Sequence, residues 1–317
     1  MPEGLLHVLQ LGDAVAINLA LALVLGGWVS GHWLPPNPSG WGQDGARTAC
    51  RLRRVGFAVG VVALLALWWL QAVSMSEAAA LALPTAAWRL LVDTHFGQAW
   101  WVGAVAWLLA AAGAWPLQII GTPFPQAGRR VLTVMALAAF VWSRSVVSHA
   151  GAQGDWSVDV AVDGLHLLLV SVWVGIVLVA AATKLPAAPA GQSDGTAAAH
   201  WVACLSATAT LALAGIVLTG AFKTWVSVPE LAALGSTDYG QRLWIKLGLV
   251  SVAVALGGYN RFKVMPPLRL EMASPASPAA RPWLRHWTLA LRLEAAVLLA
   301  VLVVAAALSS TEPPGVA

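Results

Sequence analysis

Charged residues are scarce in this sequence. Asp, Glu, Lys and Arg together make up 10% of the 317 residues, whereas hydrophobic residues make up 59%. In an ordinary soluble domain about a quarter of the residues are charged. The composition therefore excludes an ordinary soluble protein, and the mean hydropathy of +0.75 agrees with this conclusion.

Sulfur-containing residues are also few. The chain has two cysteines, Cys50 and Cys204, and five methionines. Because no C-x-x-C pair occurs, the sequence offers neither a zinc knuckle nor a thiol–disulfide redox pair. Five methionines are too few to form a ladder of thioether ligands across a membrane.

The sequence also lacks a Walker A motif and the phosphorylated-aspartate motif of a metal ATPase, so it predicts no ATP-driven step.

Long apolar segments are abundant. A run of about 18 or more apolar residues is typical of a membrane-spanning helix, since such a helix satisfies its own backbone in lipid. The sequence predicts an all-α, polytopic membrane bundle of about eight transmembrane helices, forming one membrane domain over 1–317. The eight are expected at 5–33, 50–75, 94–115, 129–149, 157–184, 197–226, 241–264 and 285–309. A short interfacial helix is expected at 77–92, and the first span is too long for a signal peptide and lacks a basic leader.

The basic residues indicate the orientation of the bundle, because cytoplasmic loops carry an excess of Lys and Arg. In the eight-helix arrangement the basic loops fall on one side, and the opposite loops hold almost none beyond Arg89. The residues of the basic loops are Arg47, Arg51, Arg53, Arg54, Arg129, Arg130, Lys184, Arg261, Lys263, Arg269, Arg281 and Arg285. Both termini are therefore predicted to face away from the cytoplasm, towards the periplasm in a Gram-negative bacterium.

Ionisable residues enter the predicted fifth span from its outer end. Asp159, Asp163 and His166 follow one another at i, i+4 and i+7, which places them on one face of a helix. At 1.5 Å per residue, His166 lies about 12 Å and Asp163 about 8 Å below a helix start near Val158. Ionisable groups at such depth usually face a wet cavity or a partner.

Other spans are expected to bring polar side chains to the same side of the membrane. Asp13 lies about 12 Å below the start of the first helix, level with His166. We therefore predict an outward-opening polar vestibule of imidazoles, carboxylates and one thioether. Its candidate metal ligands are His7, Asp13, Met75, His95, His149, Asp159, Asp163 and His166.

This donor set suits a transition metal. Imidazole binds Cu, Zn, Fe or Ni, and carboxylates favour Cu(II) over Cu(I). An aspartate beside a ligating histidine also orients its ring. A structural alternative stays open, because Asp159 and Asp163 are common helix-start residues and could pair with Arg144 or Lys246. Three further histidines, His32, His200 and His286, fall at predicted cytoplasmic ends, where an exit site is conceivable.

A succession of short motifs resembles the copper resistance protein D (CopD) family. The motifs are "SHA" at 148–150, "DGLHLLLVSVWVG" at 163–175, "LTG" at 218–220, "YGQRLWIK" at 239–246, "YNR" at 259–261, "LRLE" at 291–294 and "SSTEPP" at 309–314. The likeness is closest over 129–312, whereas 1–128 matches more loosely. It implies a multi-pass bacterial inner-membrane protein without enzymatic activity that brings copper from the periplasm to the cytoplasm. It also implies a separate periplasmic CopC-like partner and copper ligands at His149, Asp163 and His166.

Two other functions stay open at this point. The segment "LHLLLVSVWVG" is also similar to the histidine-bearing helix of membrane protoporphyrinogen-oxidase-like proteins, in which such a histidine is linked to haem b. A haem b-binding redox protein would need axial histidines facing an apolar slot, and His166 with His7 or His95 could supply them. The third function is a purely structural or assembly role in the membrane. The oxidation state of the copper ion is left open by the scarcity of methionine.

Overall fold

The computed structural model describes residues 3–35, 40–75, 83–115, 118–119, 122–123, 125–186, 192–227, 237–272 and 280–311. Over these ranges the chain is almost entirely helical, which confirms the predicted all-α class. The departure is one antiparallel pair of two-residue strands, β1 (Gln118–Ile119) and β2 (Thr122–Pro123).

The helices follow the apolar runs of the sequence. In the first half of the chain they are α1 (Glu3–His32), α2 (Gly40–Met75), α3 (Leu83–Asp93), α4 (His95–Ala114) and α5 (Gln126–Ser145). After a 3-10 turn (His149–Gln153) come α6 (Val158–Ala182), α7 (Gln192–Ser227) and α8 (Asp238–Tyr259). A π-helical turn (Asn260–Val264) leads into α9 (Met265–Met272), and α10 (Ala280–Ser309) follows. A helix therefore occupies each of the nine predicted positions, although α2 begins ten residues before the predicted start of its span.

Seven of the described helices are long and apolar enough to cross a membrane. The predicted fourth span is the exception, because α5 is 20 residues long but carries Arg129, Arg130 and Arg144. These three charges lower its hydropathy below that of the other spans. Its arginine content therefore makes α5 less apolar than the other predicted spans.

The chain divides into two compact units. Unit 1 comprises Met1–Ile17 and Phe57–Leu168, and unit 2 comprises Asn18–Gly56 and Leu169–Ala317. The boundaries fall inside α1, α2 and α6, so each of these helices contributes residues to both units. Chain order alone therefore does not separate the units.

Unit 1 is built around the packing of α4 against α5. Trp107 of α4 is fully buried, and its ring lies 5.4 Å from that of Phe57 and 4.6 Å from that of Phe140. The Trp107 indole N–H donates a hydrogen bond of 3.1 Å to the Phe57 carbonyl oxygen. A buried tryptophan needs such a partner, so Trp107 joins α2, α4 and α5 at a fixed position.

Unit 2 contains the larger apolar core, in which Trp173, Trp201 and Trp287 are buried. The backbones of α1 and α6 approach closely where Gly26 meets Gly175, since a side-chain carbon built on either glycine would overlap the other helix. Small residues permit this kind of approach between membrane helices. Gly175, the last residue of the motif "DGLHLLLVSVWVG", is therefore required by helix packing in unit 2.

Candidate functional site

All eight predicted ligands belong to unit 1. They come from α1, α2, α4, the 3-10 turn and α6, which supply residues from opposite ends of the first half of the chain. The ligands are His7, Asp13, Met75, His95, His149, Asp159, Asp163 and His166. All eight predicted ligands therefore lie in one compact part of the structure.

Asp13 is the most deeply placed carboxylate of this set. Its side chain is 8% exposed, and within the described chain its Oδ2 atom is buried with no hydrogen-bond partner. Beside it lies a cavity of about 100 Å³, to which Gln10, Gln71 and Arg144 also contribute. Ala14, Leu67 and Leu70 make most of the wall apolar, but the polar side chains on it give a few water molecules or a small cation partners in a cavity of this size.

Arg144 lies at the end of α5 and supplies the positive charge of this region. Its guanidinium attracts the carboxylates of both Asp13 and Asp163. Two carboxylates and one guanidinium carry a formal net charge of −1, so this trio favours a cation over an anion. The attraction between Arg144 and Asp163 is in line with the alternative that the two pair, and Arg144 attracts Asp13 as well.

The first turns of α6 present the predicted polar face. The helix begins at Val158, and the Ser157 hydroxyl accepts a 3.3 Å hydrogen bond from the Val160 N–H. Asp159 lies in the first turn, where a negative charge is favoured by the helix dipole. Asp159, Asp163 and His166 are all partly buried, and the helix confirms that they share one face.

His95 has a carboxylate partner that the sequence analysis did not identify. As the first residue of α4, after the N-cap Thr94, it lies with Nε2 2.9 and 3.0 Å from the two carboxylate oxygens of Asp155. When Nε2–H donates to this carboxylate, Nδ1 retains the lone pair that a metal needs. This is the carboxylate–histidine arrangement that orients and strengthens metal-binding imidazoles.

The loop that carries Asp155 is held against α5. The Trp142 indole N–H donates a 3.1 Å hydrogen bond to the Asp155 carbonyl oxygen, and the Trp142 ring stacks on Trp156 at 5.2 Å. Gly154 adopts a φ of +109°, a backbone conformation that favours glycine. Asp155 lies between His149 and Asp159 in the sequence. Because it is in a loop and not in a helix, the sequence does not predict which way its side chain points.

With His95 as a copper ligand, as the sequence predicts, replacing Asp155 with alanine is expected to weaken copper binding by about 10- to 100-fold, the usual cost of losing a carboxylate behind a metal-binding histidine. Isothermal titration of the purified protein with Cu(II) measures the effect. Asp44→Ala is the matched control, because Asp44 is an exposed aspartate of unit 2 whose partner is Arg47 at 3.5 Å. Equal affinities of the Asp155→Ala variant and the wild type would contradict this role.

The remaining predicted ligands are at the surface of unit 1. His7 and His149 are exposed, and Met75 is 62% exposed at the last residue of α2. Within the ranges that the structure describes, no three His, Cys, Asp or Glu side chains are close enough together to hold one metal ion. The structure thus brings together Asp13, Arg144 and Asp163, and separately His95 and Asp155, and a joint site of all eight ligands stays a prediction.

Comparisons with known proteins bear on both halves of the chain. The family model described as Copper resistance protein D matches residues 199–308, and the model of the Copper resistance protein D-like N-terminal domain matches residues 6–158. The Copper transport protein CutJ of Bacillus subtilis (strain 168) is 27% identical over 170 residues, which are 54% of this chain and 31% of that relative. No solved structure matches the chain.

The two family models together take in both ends of the helical region, and residues 159–198, which include Asp163 and His166, lie between the two matches. They confirm the resemblance that the motifs from "SHA" to "SSTEPP" indicate. The N-terminal match also extends to the helices for which the motif likeness was loose. This chain belongs to the copper resistance protein D family of membrane proteins.

Proposed function

We propose that this protein binds copper at the outer side of unit 1 and conducts it across the bacterial inner membrane towards the cytoplasm. The observation that carries this proposal is the cavity of about 100 Å³ lined by Asp13 and Arg144, with Asp163 attracted to the same guanidinium. The candidate ligands, which come from five separate segments, belong to the same unit. The family membership makes copper the cation to test.

Capture begins at the exposed imidazoles. His7, His95 and His149 are accessible on unit 1, and imidazole binds copper in either oxidation state. The partly buried His166 lies farther along α6 than Asp159 and Asp163. A copper ion passing from the exposed imidazoles to His166 would therefore move to a site with nearby carboxylates.

The charges near Asp13 set how copper is held. The trio carries a formal charge of −1, and Asp159 on the face of α6 that bears Asp163 makes this sum −2. A divalent copper ion would bring the sum to zero. Without copper, the Arg144 guanidinium partly offsets the carboxylates, so copper and Arg144 compete for the same negative charge.

Because no ATP-binding motif is present, copper movement in this proposal follows a gradient or capture of copper on the inner side. A separate periplasmic CopC-like protein, which the family resemblance implies, would deliver the ion to the exposed histidines. Such a donor needs only to reach His149, which lies at the start of the surface 3-10 turn. No enzymatic step is part of this proposal.

Metal analysis with an absorption spectrum tests the proposal directly. Detergent-purified protein is measured before and after the addition of copper, under reducing and under oxidising conditions. We expect stoichiometric copper, no Soret band, and loading under the oxidising condition because of the imidazole and carboxylate donors. A Soret band without copper uptake would instead make His166 a haem ligand and overturn the proposal.

A further inference from the structure

A second pair of metal-binding side chains lies on α7, in unit 2. The Cys204 Sγ atom is 3.5 Å from His200 Nε2, one helical turn away. His200 is exposed and Cys204 is partly buried, so the two donor atoms face a region that an ion can reach. Neither residue takes part in the proposed outer vestibule, whose ligands all belong to unit 1.

The surroundings place this pair at one end of a membrane-spanning segment. The neighbouring Trp201 donates a 3.2 Å hydrogen bond from its indole N–H to the Ser30 carbonyl oxygen. Its ring lies 6.0 Å from those of Trp33 and Trp41. This tryptophan cluster belongs to the apolar core of unit 2, and the Lys and Arg bias of the sequence predicts that this end of α7 is cytoplasmic.

The donor chemistry differs from that of unit 1. Thiolate is a soft ligand that selects Cu(I), and imidazole also binds copper, whereas the outer set adds hard carboxylates. Cu(I) is stable with two ligands in a near-linear arrangement, so one thiolate and one imidazole suffice. The i, i+4 spacing lets the sulfur and nitrogen separate slightly around an ion without any change in the helix.

We propose that Cys204 and His200 form a Cu(I)-binding site at the inner end of α7. Binding replaces the thiol proton with the metal, so each Cu(I) ion that binds releases one proton and no electron is transferred. The site goes beyond the proposed transport function and does not depend on it.

The second cysteine offers a matched control. Cys50 lies on α2, also in unit 2, and is partly buried like Cys204. Among the residues that the structure describes, no histidine contact is present at Cys50. The Cys50 variant therefore shows how losing a thiol that has no histidine beside it affects Cu(I) binding.

The experiment is a Cu(I) competition titration of the full-length purified protein against bicinchoninate, with ascorbate as reductant. The variants are Cys204→Ser, His200→Ala and Cys50→Ser, each checked for a single size-exclusion peak and a wild-type melting curve. We expect Cys204→Ser to lose one tightly bound Cu(I) equivalent. His200→Ala should weaken that equivalent by about 10- to 100-fold, and Cys50→Ser should retain it.

Three results would overturn the site. They are unchanged Cu(I) stoichiometry and affinity in both Cys204→Ser and His200→Ala, an equal loss in Cys50→Ser, and retention of Zn(II) with no Cu(I) in the wild type. The His149→Ala/His166→Ala variant separates this site from the proposed function. It should keep the Cu(I) equivalent of Cys204 even if the outer vestibule carries no copper, and loss of that equivalent in this variant would also overturn the assignment.

Discussion

Cells that produce the His149→Ala/His166→Ala variant are expected to accumulate copper at about a tenth or less of the wild-type rate. The expectation follows from the proposed route, in which an exposed imidazole receives the ion and a partly buried imidazole on α6 holds it. Removing both leaves His7, His95 and the carboxylates but no imidazole on α6, and loss of even a residue that only supports a metal ligand costs about 10- to 100-fold in metal affinity. Copper content per cell, measured by mass spectrometry over a time course, gives the rate.

The control for this variant is His286→Ala. His286 is an exposed histidine of α10 whose ring lies 5.9 Å from that of Trp283, in unit 2. Its removal changes the histidine count without touching the proposed route, so copper accumulation should match the wild type at equal protein levels. Wild-type accumulation in the double variant would refute the route, as would an equal loss in His286→Ala.

Replacing Arg144 with glutamine is expected to destabilise the protein by at most about 3 kcal/mol and to make its stability depend on copper. Breaking a close buried ion pair costs about 3–5 kcal/mol, and the effect here should not exceed the lower end because Arg144 is partly exposed and, over the described ranges, attracts the carboxylates without forming a close pair. The change leaves the carboxylates of Asp13 and Asp163 without the guanidinium that attracts them, and Asp13 Oδ2 has no hydrogen-bond partner in the described chain. A bound copper ion would supply the missing positive charge and restore stability in proportion to its occupancy.

Thermal unfolding in detergent, with and without added copper, measures both effects. The Asp13→Asn/Arg144→Gln double variant removes one charge of each sign and should recover much of the lost stability. Arg242→Gln serves as the control in unit 2, because the Arg242 guanidinium donates a 2.6 Å hydrogen bond to the Ala307 carbonyl oxygen. Its stability should fall without any recovery on adding copper. Wild-type stability in Arg144→Gln, or equal copper recovery in Arg242→Gln, would contradict the role of Arg144.

The positions of the helices could be predicted because lipid imposes a simple rule. A spanning segment must be apolar and must satisfy its own backbone, so the runs in the sequence locate the helices within a few residues. The placement of α6 at Val158–Ala182, inside the predicted 157–184, is one example. The arginines that distinguish α5 from the other spans by composition are also visible in the sequence.

The partners of the polar side chains could not be predicted in the same way. Asp155 meets His95 across 60 residues of chain, and its direction is set by a loop that Trp142 anchors. The pairing of Cys204 with His200 has a helical signal in its i, i+4 spacing. Each of the two residues alone is common at a membrane interface, so only their contact in the structure indicates a joint site.

Composition and periodicity by themselves determined that this protein is a helical membrane protein, that Asp159, Asp163 and His166 share one face, and which polar residues are candidates for a metal. These follow from local rules of backbone satisfaction and helical repeat. Only the tertiary structure decided that Arg144 attracts Asp13 and Asp163 together, and that Asp155 supports His95. Such pairings depend on how separate helices and loops meet, and many side chains of similar depth could have satisfied the same charge.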